Sequence, residues 1–339
     1  MGTSYCKRYE ADKRTDFRLH KRGEKQMRYS DSFGEKASKM FLGTAYFGDA
    51  ITEEDAFSIM DKFREMGGTH IDTARLYANG KSEEIVGKWL RERNASEMHV
   101  FTKGGYYEPD AGEASRVTEK DIVSDLEESL KALNTDCIEF YWLHRDDRVI
   151  EPSVVAELMN RFVKEGKIKK FGASNWQYDR IKAVNDYAAK HNLMGFSASQ
   201  IRFNPAYCLG ERGGLVGMDK DEFSFYKSAG LPVVAYSSQA KGFFSKVAEQ
   251  GVEALSEKAK KRYLCTENLE KTEFMKELAV KYNCSVGAIV CSAMCSINIP
   301  DTFPVIGGSR VSQIEDSMSG ADIVLSDEEL RMIFKEIME

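Results

Sequence analysis

The stretch Ile71-Asp72-Thr73-Ala74-Arg75-Leu76-Tyr77-Ala78-Asn79-Gly80 decides how the rest of the chain is read. A short apolar run, Thr69-His70-Ile71, ends on an acid; a tyrosine follows in a loop closed by glycine, and a helical pattern runs from Ser82 to Leu90. Strand, loop and helix follow in order, with both polar groups at the carboxyl end of the strand. Parallel α/β architectures gather their reacting groups at that end.

Two later strands strengthen the reading. Val100-Phe101-Thr102-Lys103 ends a β-branched and aromatic run on a lysine before Gly104-Gly105. Ile138-Glu139-Phe140-Tyr141-Trp142-Leu143-His144 ends an apolar run on a histidine. Taken singly, Asp72 reads equally as a turn-capping acid and His144 as a satisfied structural imidazole, while a lone Lys103 ending a strand is more often a snorkelling surface residue. Four such groups on one rim favour catalysis.

Outward from these strands the same unit repeats. Phe41–Ala45 precedes a helix opened by Thr52 with Asp55 three residues on, a variant of the capping box. Strand 69–72 feeds helix 82–93, and 99–103 feeds a helix opened by Thr118 and Asp121. Strand 138–143 feeds 153–165, 168–173 feeds 178–190, and 196–201 feeds 219–229. Strand 232–236 leads through a long segment to helices near 269–282 and 286–296. Strand 303–306 leads to helix 311–318, and a last helix covers 327–338. The strands read as continuous apolar runs, as parallel strands buried on both faces do. Eight units predict a (β/α)8 TIM barrel over residues 27–339, with an N-terminal hairpin at 27–40 and long carboxyl-side loops at 202–218 and 237–268. An open doubly wound sheet is the alternative, but no G-x-G-x-x-G follows the first strand.

Composition bounds the function classes. The 339 residues are 42% hydrophobic and 30% charged, with a net charge of -6, which gives no drive toward nucleic acid or anionic membrane. No run approaches the ~18 apolar residues of a membrane span, and no secretory signal is visible. Residues 1–26 are basic with interleaved acids and read as a solvated extension. The seven cysteines contain no C-x-x-C, so scattered reduced thiols in a cytoplasmic protein are expected in place of a metal site or disulfide framework.

The four rim groups suit one chemistry. A phenol is a poor acid near neutral pH; an adjacent ammonium, Lys103, stabilises the phenolate and lowers its pKa. Asp72 holds that ammonium charged, and His144 can donate a hydrogen bond to the oxygen that Tyr77 protonates. The group delivers a proton to an oxygen gaining negative charge, as reduction of an aldehyde or ketone by hydride requires. The hydride must come from a nicotinamide on the same rim. Ser174, Asn175 and Gln200 end strands with groups suited to its carboxamide, and Tyr236 offers a face for its ring. Ser237, Ser238, Gln239 and Gly242 lie in a stretch able to wrap a pyrophosphate. Gly307, Gly308, Ser309 and Arg310 precede a helix whose N-terminus attracts phosphate.

The motifs I-D-T-A-x-x-Y-x-x-G-x-S-E-x-x-x-G (71–87), F-T-K (101–103), the Leu143-His144 strand end, G-x-S-N-W (172–176) and G-G-S-R (307–310) together resemble the aldo-keto reductase family. The resemblance runs from about Arg28 to the last helix. It implies NADPH-dependent carbonyl reduction without a metal, Tyr77 as general acid, Lys103 and Asp72 as its tuning pair, and His144 as the donor orienting substrate. Thr44 and Asp72 join the cofactor set, and Ser309, Arg310, Gln313 and Asp316 would meet the adenosine half. Gly308 and Gln313 stand where many members carry Lys and Arg, so Arg310 is the remaining strong cation for a 2′-phosphate and NAD stays open. Ser237-Ser238-Gln239 replaces the common S-P-L.

Tyr46, Phe47, Tyr106, Tyr107 and Trp176 are expected at the mouth with Arg145, suiting a small polar carbonyl such as a sugar, or equally a ring ketone. Monomer and homo-oligomer stay open. A nucleotide-binding regulatory or redox-sensing subunit with slow turnover is the competing reading; a metal-dependent barrel isomerase or hydrolase lacks the strand-end ligands it needs.

Overall fold

A computed structural model describes residues 27–338 apart from 109–111 and 210–213; the basic extension at 1–26 lies outside the described residues. Eight parallel strands close into a barrel in sequence order: β3 (Phe41–Gly43), β4 (His70–Asp72), β5 (His99–Gly104), β6 (Ile138–Leu143), β7 (Ile168–Ser174), β8 (Ser199–Arg202), β9 (Val233–Tyr236) and β10 (Thr302–Ile306), which pairs back onto β3. The expected hairpin precedes it as β1 (Tyr29–Ser30) and β2 (Ala37–Ser38).

Alternation along each strand explains what the barrel holds. Residues two apart face the same side, so Phe101 shares a face with Lys103, and Phe140 and Trp142 share one with His144. The amino end of the interior is filled with rings: Phe41, Phe101, Phe140, Trp142 and Phe303 form one buried cluster. Phe33, from the turn of the hairpin, closes it, with ring centroids 5.1 Å from Phe303 and 5.2 Å from Phe101. The apolar floor leaves the carboxyl ends of the same strand faces to polar groups.

The helices wrap the outside and bury one stripe each. Thr52 and Thr118 cap their helices, their side chains accepting from the amides of Asp55 and Asp121. Glu53–Glu65 turns Ala56, Ile59, Met60 and Phe63 inward, as its spacing predicts. Residues 237–268, expected as a loop, instead carry two short helices, Phe243–Gln250 and Glu257–Tyr263, followed by a helix that starts early, at Thr266. Phe243, Phe244, Ala259 and Tyr263 pack with Met275 and Ile289 in a second buried cluster, and Ser256 caps the second helix through the amide of Ala259. The last helix breaks at Phe334 into Asp327–Ile333 and Lys335–Met338. No single described helix is long and apolar enough to cross a membrane.

Candidate active site

Asp72, Ser174 and Tyr236 end their strands at the carboxyl rim of the barrel, Lys103 and Gln200 lie one and two residues before the ends of theirs, and His144 follows β6 immediately. Tyr77 reaches them from a strained turn. Ala78, Asn79 and Gly80 take φ of 48°, 53° and 89° in succession, a left-handed course that costs Ala78 about 1–2 kcal/mol. Arg75 straps this turn: it donates to Asn79 O at 3.1 Å while ion-pairing with the fully buried Glu83 and with Glu128, each at 2.9 Å.

The polar groups meet as the sequence predicts. Lys103 Nζ donates to Asp72 Oδ2 at 2.7 Å, to Thr73 O at 2.6 Å and to the Tyr77 hydroxyl at 3.3 Å. His144 approaches Tyr77 edge-on, ring centroids 6.2 Å apart. Burial works against the Lys103 ammonium, but Asp72 and Tyr77 outweigh it and hold its pKa above the ordinary value. The phenol departs from expectation: burial raises the Tyr77 pKa, and Lys103 opposes this without reversing it. Tyr77 is therefore protonated in the resting site. Burial, with Lys103 and Arg145 nearby, pushes His144 well below its usual value, which leaves a neutral imidazole.

Around the tetrad, the proposed cofactor residues fall into two groups. Gln200 Nε2 donates to Asp72 Oδ1 at 2.8 Å, so its amide nitrogen orients the carboxylate. Asn175, at φ 59°, accepts from the Tyr236 hydroxyl at 2.7 Å and donates to Ser174 Oγ at 3.3 Å. Thr44 Oγ1 donates to Asp72 O at 3.2 Å. Farther along the rim, Ser238 Oγ donates to Val305 O at 2.7 Å and Gln239 Nε2 to Ser317 Oγ at 2.9 Å. Ser237 and Gly242 both have positive φ, and Gly242 heads the helix Phe243–Gln250 with no side-chain cap. Gln313 Oε1 accepts from the amides of Ser309 and Arg310 at 2.8 and 3.2 Å, capping the helix Val311–Met318. Arg310 and Asp316 are exposed at that helix.

The expected mouth is corrected in part. Tyr46 is 60% exposed, whereas Trp176 is fully buried, packed on Phe196 with its indole N–H donating to Arg145 O at 3.0 Å. Trp176 is core, because the left-handed Asn175 before it redirects the chain. Phe47 and Tyr107 are buried as well. Arg145 is buried beside Tyr106, its guanidinium 4.8 Å from that ring centroid, while Nε donates to Tyr107 O at 3.2 Å. Sequence reading missed Arg202, which ends β8 two residues after Gln200 and is buried on the same strand face. Strand parity was the available signal.

The aldo/keto reductase family profile matches residues 39–337, so the chain belongs to that family. It is an NAD(P)H-dependent oxidoreductase built on a (β/α)8 barrel. It is 31% identical over 319 residues to the uncharacterized oxidoreductase YrpG of Bacillus subtilis, covering 90% of this chain and 94% of the relative. Norsolorinic acid reductase B of Dothistroma septosporum is 28% identical over 318 residues, 88% of this chain and 78% of that protein. The putative aryl-alcohol dehydrogenase AAD14 of Saccharomyces cerevisiae is 24% identical over 326 residues, 90% of this chain and 84% of that one.

Proposed function

We propose that the protein reduces an aldehyde or ketone with NADPH, Tyr77 acting as the general acid. The observation that carries this reading is Lys103 Nζ within reach of both Asp72 and the Tyr77 hydroxyl in a buried, strand-end setting. The bound nicotinamide supplies the hydride. Tyr77 gives its proton to the substrate oxygen as charge builds there, and Lys103 stabilises the phenolate left behind. Asp72, held by Gln200, keeps Lys103 charged and aimed. His144, neutral, donates to the same oxygen and orients the carbonyl.

Several features suit the cofactor. The uncapped helix behind Gly242 leaves amide donors for a pyrophosphate. A Cβ built on Gly307 would meet nothing nearer than Gly43 O at 3.8 Å, so bare backbone faces open space there. Ser174 and Asn175 would hold the carboxamide, Tyr236 would lie against the ring, and exposed Arg310 would pair with a 2′-phosphate.

Tyr46, Tyr106 and Arg145 would receive a substrate with a flat or polyhydroxylated body and a second oxygen near the carbonyl. The relatives named for norsolorinic acid and for aryl alcohols add weight to a ring-bearing carbonyl. Free thiols at all six described cysteines agree with a reducing cytoplasm. The regulatory alternative gains nothing from a complete proton-donor group. A panel of aromatic aldehydes, ring ketones and sugars, assayed with NADPH and NADH side by side, tests the reading. Turnover of at least one carbonyl class with NADPH preferred is expected; no turnover of any class, with nucleotide bound, would favour the regulatory subunit.

A further inference from the structure

The amino end of the barrel, away from the tetrad, holds a second cluster of chemistry-bearing side chains. His70 starts β4 and His99 starts β5, and the parallel register sets them directly opposite each other. Their rings stack, centroids 4.8 Å apart with planes 26° from parallel. Glu35, from the turn of the hairpin, comes down on both: its Oε1 lies 3.8 Å from His70 Nε2 and 3.3 Å from His99 Nδ1. We propose that Glu35, His70 and His99 form a binding site for a divalent transition-metal ion, zinc(II) foremost, that latches the hairpin onto the barrel.

The donor set is the first argument. Two imidazoles and one carboxylate are a ligand set that holds zinc while leaving a position for water. Bonds of about 2.0–2.1 Å in a tetrahedron place ligand atoms roughly 3.3 Å apart; the Glu35–His99 separation already matches this, the three ligand atoms lie within 4.8 Å of one another, and the stacked rings must rotate for their lone pairs to converge. The second argument is His70 itself. It is fully buried, and its Nε2 has no hydrogen-bond partner while lying toward Glu35. A buried polar atom left unpaired in an otherwise apolar floor asks for an explanation, and Phe41, stacked on the other face at 4.7 Å, shows that a plain ring fits here.

The third argument is the support behind the ligands. His70 Nδ1 is 2.8 Å from Thr69 Oγ1, which also accepts from the amide of Ser38 at 2.9 Å. With the Nδ1 proton directed at Thr69, Nε2 presents its lone pair, the arrangement by which an outer partner fixes a ligating histidine. A pocket lined by Phe33, Gly34, Glu35, Glu139, Lys169 and Lys170 opens beside the carboxylate of this cluster, and there Glu139 pairs with Lys169 at 2.7 Å. His99 and Lys103 lie about 13 Å apart along β5, so the ion takes no part in carbonyl reduction.

The test uses the full chain, freed of any affinity tag and stripped with chelator, then titrated with zinc and with cobalt(II). One ion bound per chain, a melting temperature that rises with zinc, and a weak visible cobalt spectrum of nitrogen and oxygen ligation are expected. Glu35→Gln and His99→Gln should each raise the dissociation constant more than about tenfold and abolish the thermal shift, with unchanged circular dichroism and unchanged metal-free reductase activity. Two separate variants are used so that a folding defect in one leaves the other to read. Absence of saturable binding, equal binding in both variants, or an intense thiolate charge-transfer band from cysteine ligation would each overturn the proposal.

Discussion

Replacing Lys103 by methionine removes an ammonium whose nitrogen lies 3.3 Å from the Tyr77 hydroxyl and 2.7 Å from Asp72. Methionine keeps most of the stem that fills the barrel interior, so the substitution is mainly a loss of charge. At an effective dielectric of about 20, two unit charges 3.3 Å apart attract by about 5 kcal/mol. If the phenolate is about half formed in the transition state, about 2.5 kcal/mol of stabilisation is lost, close to a hundredfold in kcat. Stability falls too, because buried Asp72 loses its cation and keeps Gln200; breaking such a pair costs about 3 kcal/mol. The assay is steady-state reduction with NADPH, with nicotinamide binding followed by fluorescence. Unchanged kcat, or a loss confined to KM, would refute the electrostatic role given to Lys103.

Two further predictions concern pH. Because His144 is held well below its ordinary value, its imidazole signal should titrate well below that of an ordinary histidine in an NMR series assigned with His144→Gln. The unfolded chain takes up that proton below about pH 6.5 while the native chain refuses it, so this group contributes a loss of stability as pH falls; a native titration near 6.5 would contradict the account. Glu222 behaves in the opposite sense: burial holds its pKa up to about 7, against an unfolded value near 4.3. Its contribution is present below the unfolded value and lost as pH rises through 7, so Glu222→Gln should be the more stable form at pH 8 by up to about 3 kcal/mol. Equal urea midpoints for the two proteins at pH 8 would remove that assignment.

Much of the fold was legible because parallel strands buried on both faces leave a simple trace, an apolar run ending on a polar group. The same trace located Asp72, Lys103, Ser174, Gln200 and Tyr236, since one strand face carries rings at its amino end and reactive groups at its carboxyl end. The helices Phe243–Gln250 and Glu257–Tyr263 were not legible, being so short that few turns of periodicity show. Trp176 was misplaced because its direction depends on the left-handed backbone of Asn175, which a motif does not reveal. The pKa of Tyr77 was misjudged because a sequence names the neighbouring ammonium but gives no measure of burial. Arg202 escaped notice because the expected strand stopped at residue 201, one short of it, although its parity with Gln200 was readable.

The central claim is that a half-buried phenol supplies the proton to the substrate oxygen. Tyr77→Phe keeps the ring, and with it the contact to His144, and removes only the hydroxyl that Lys103 addresses. Carbonyl reduction should fall by about two to four orders of magnitude while NADPH binding, read by fluorescence, is retained; turnover equal to that of the unsubstituted protein would contradict the account.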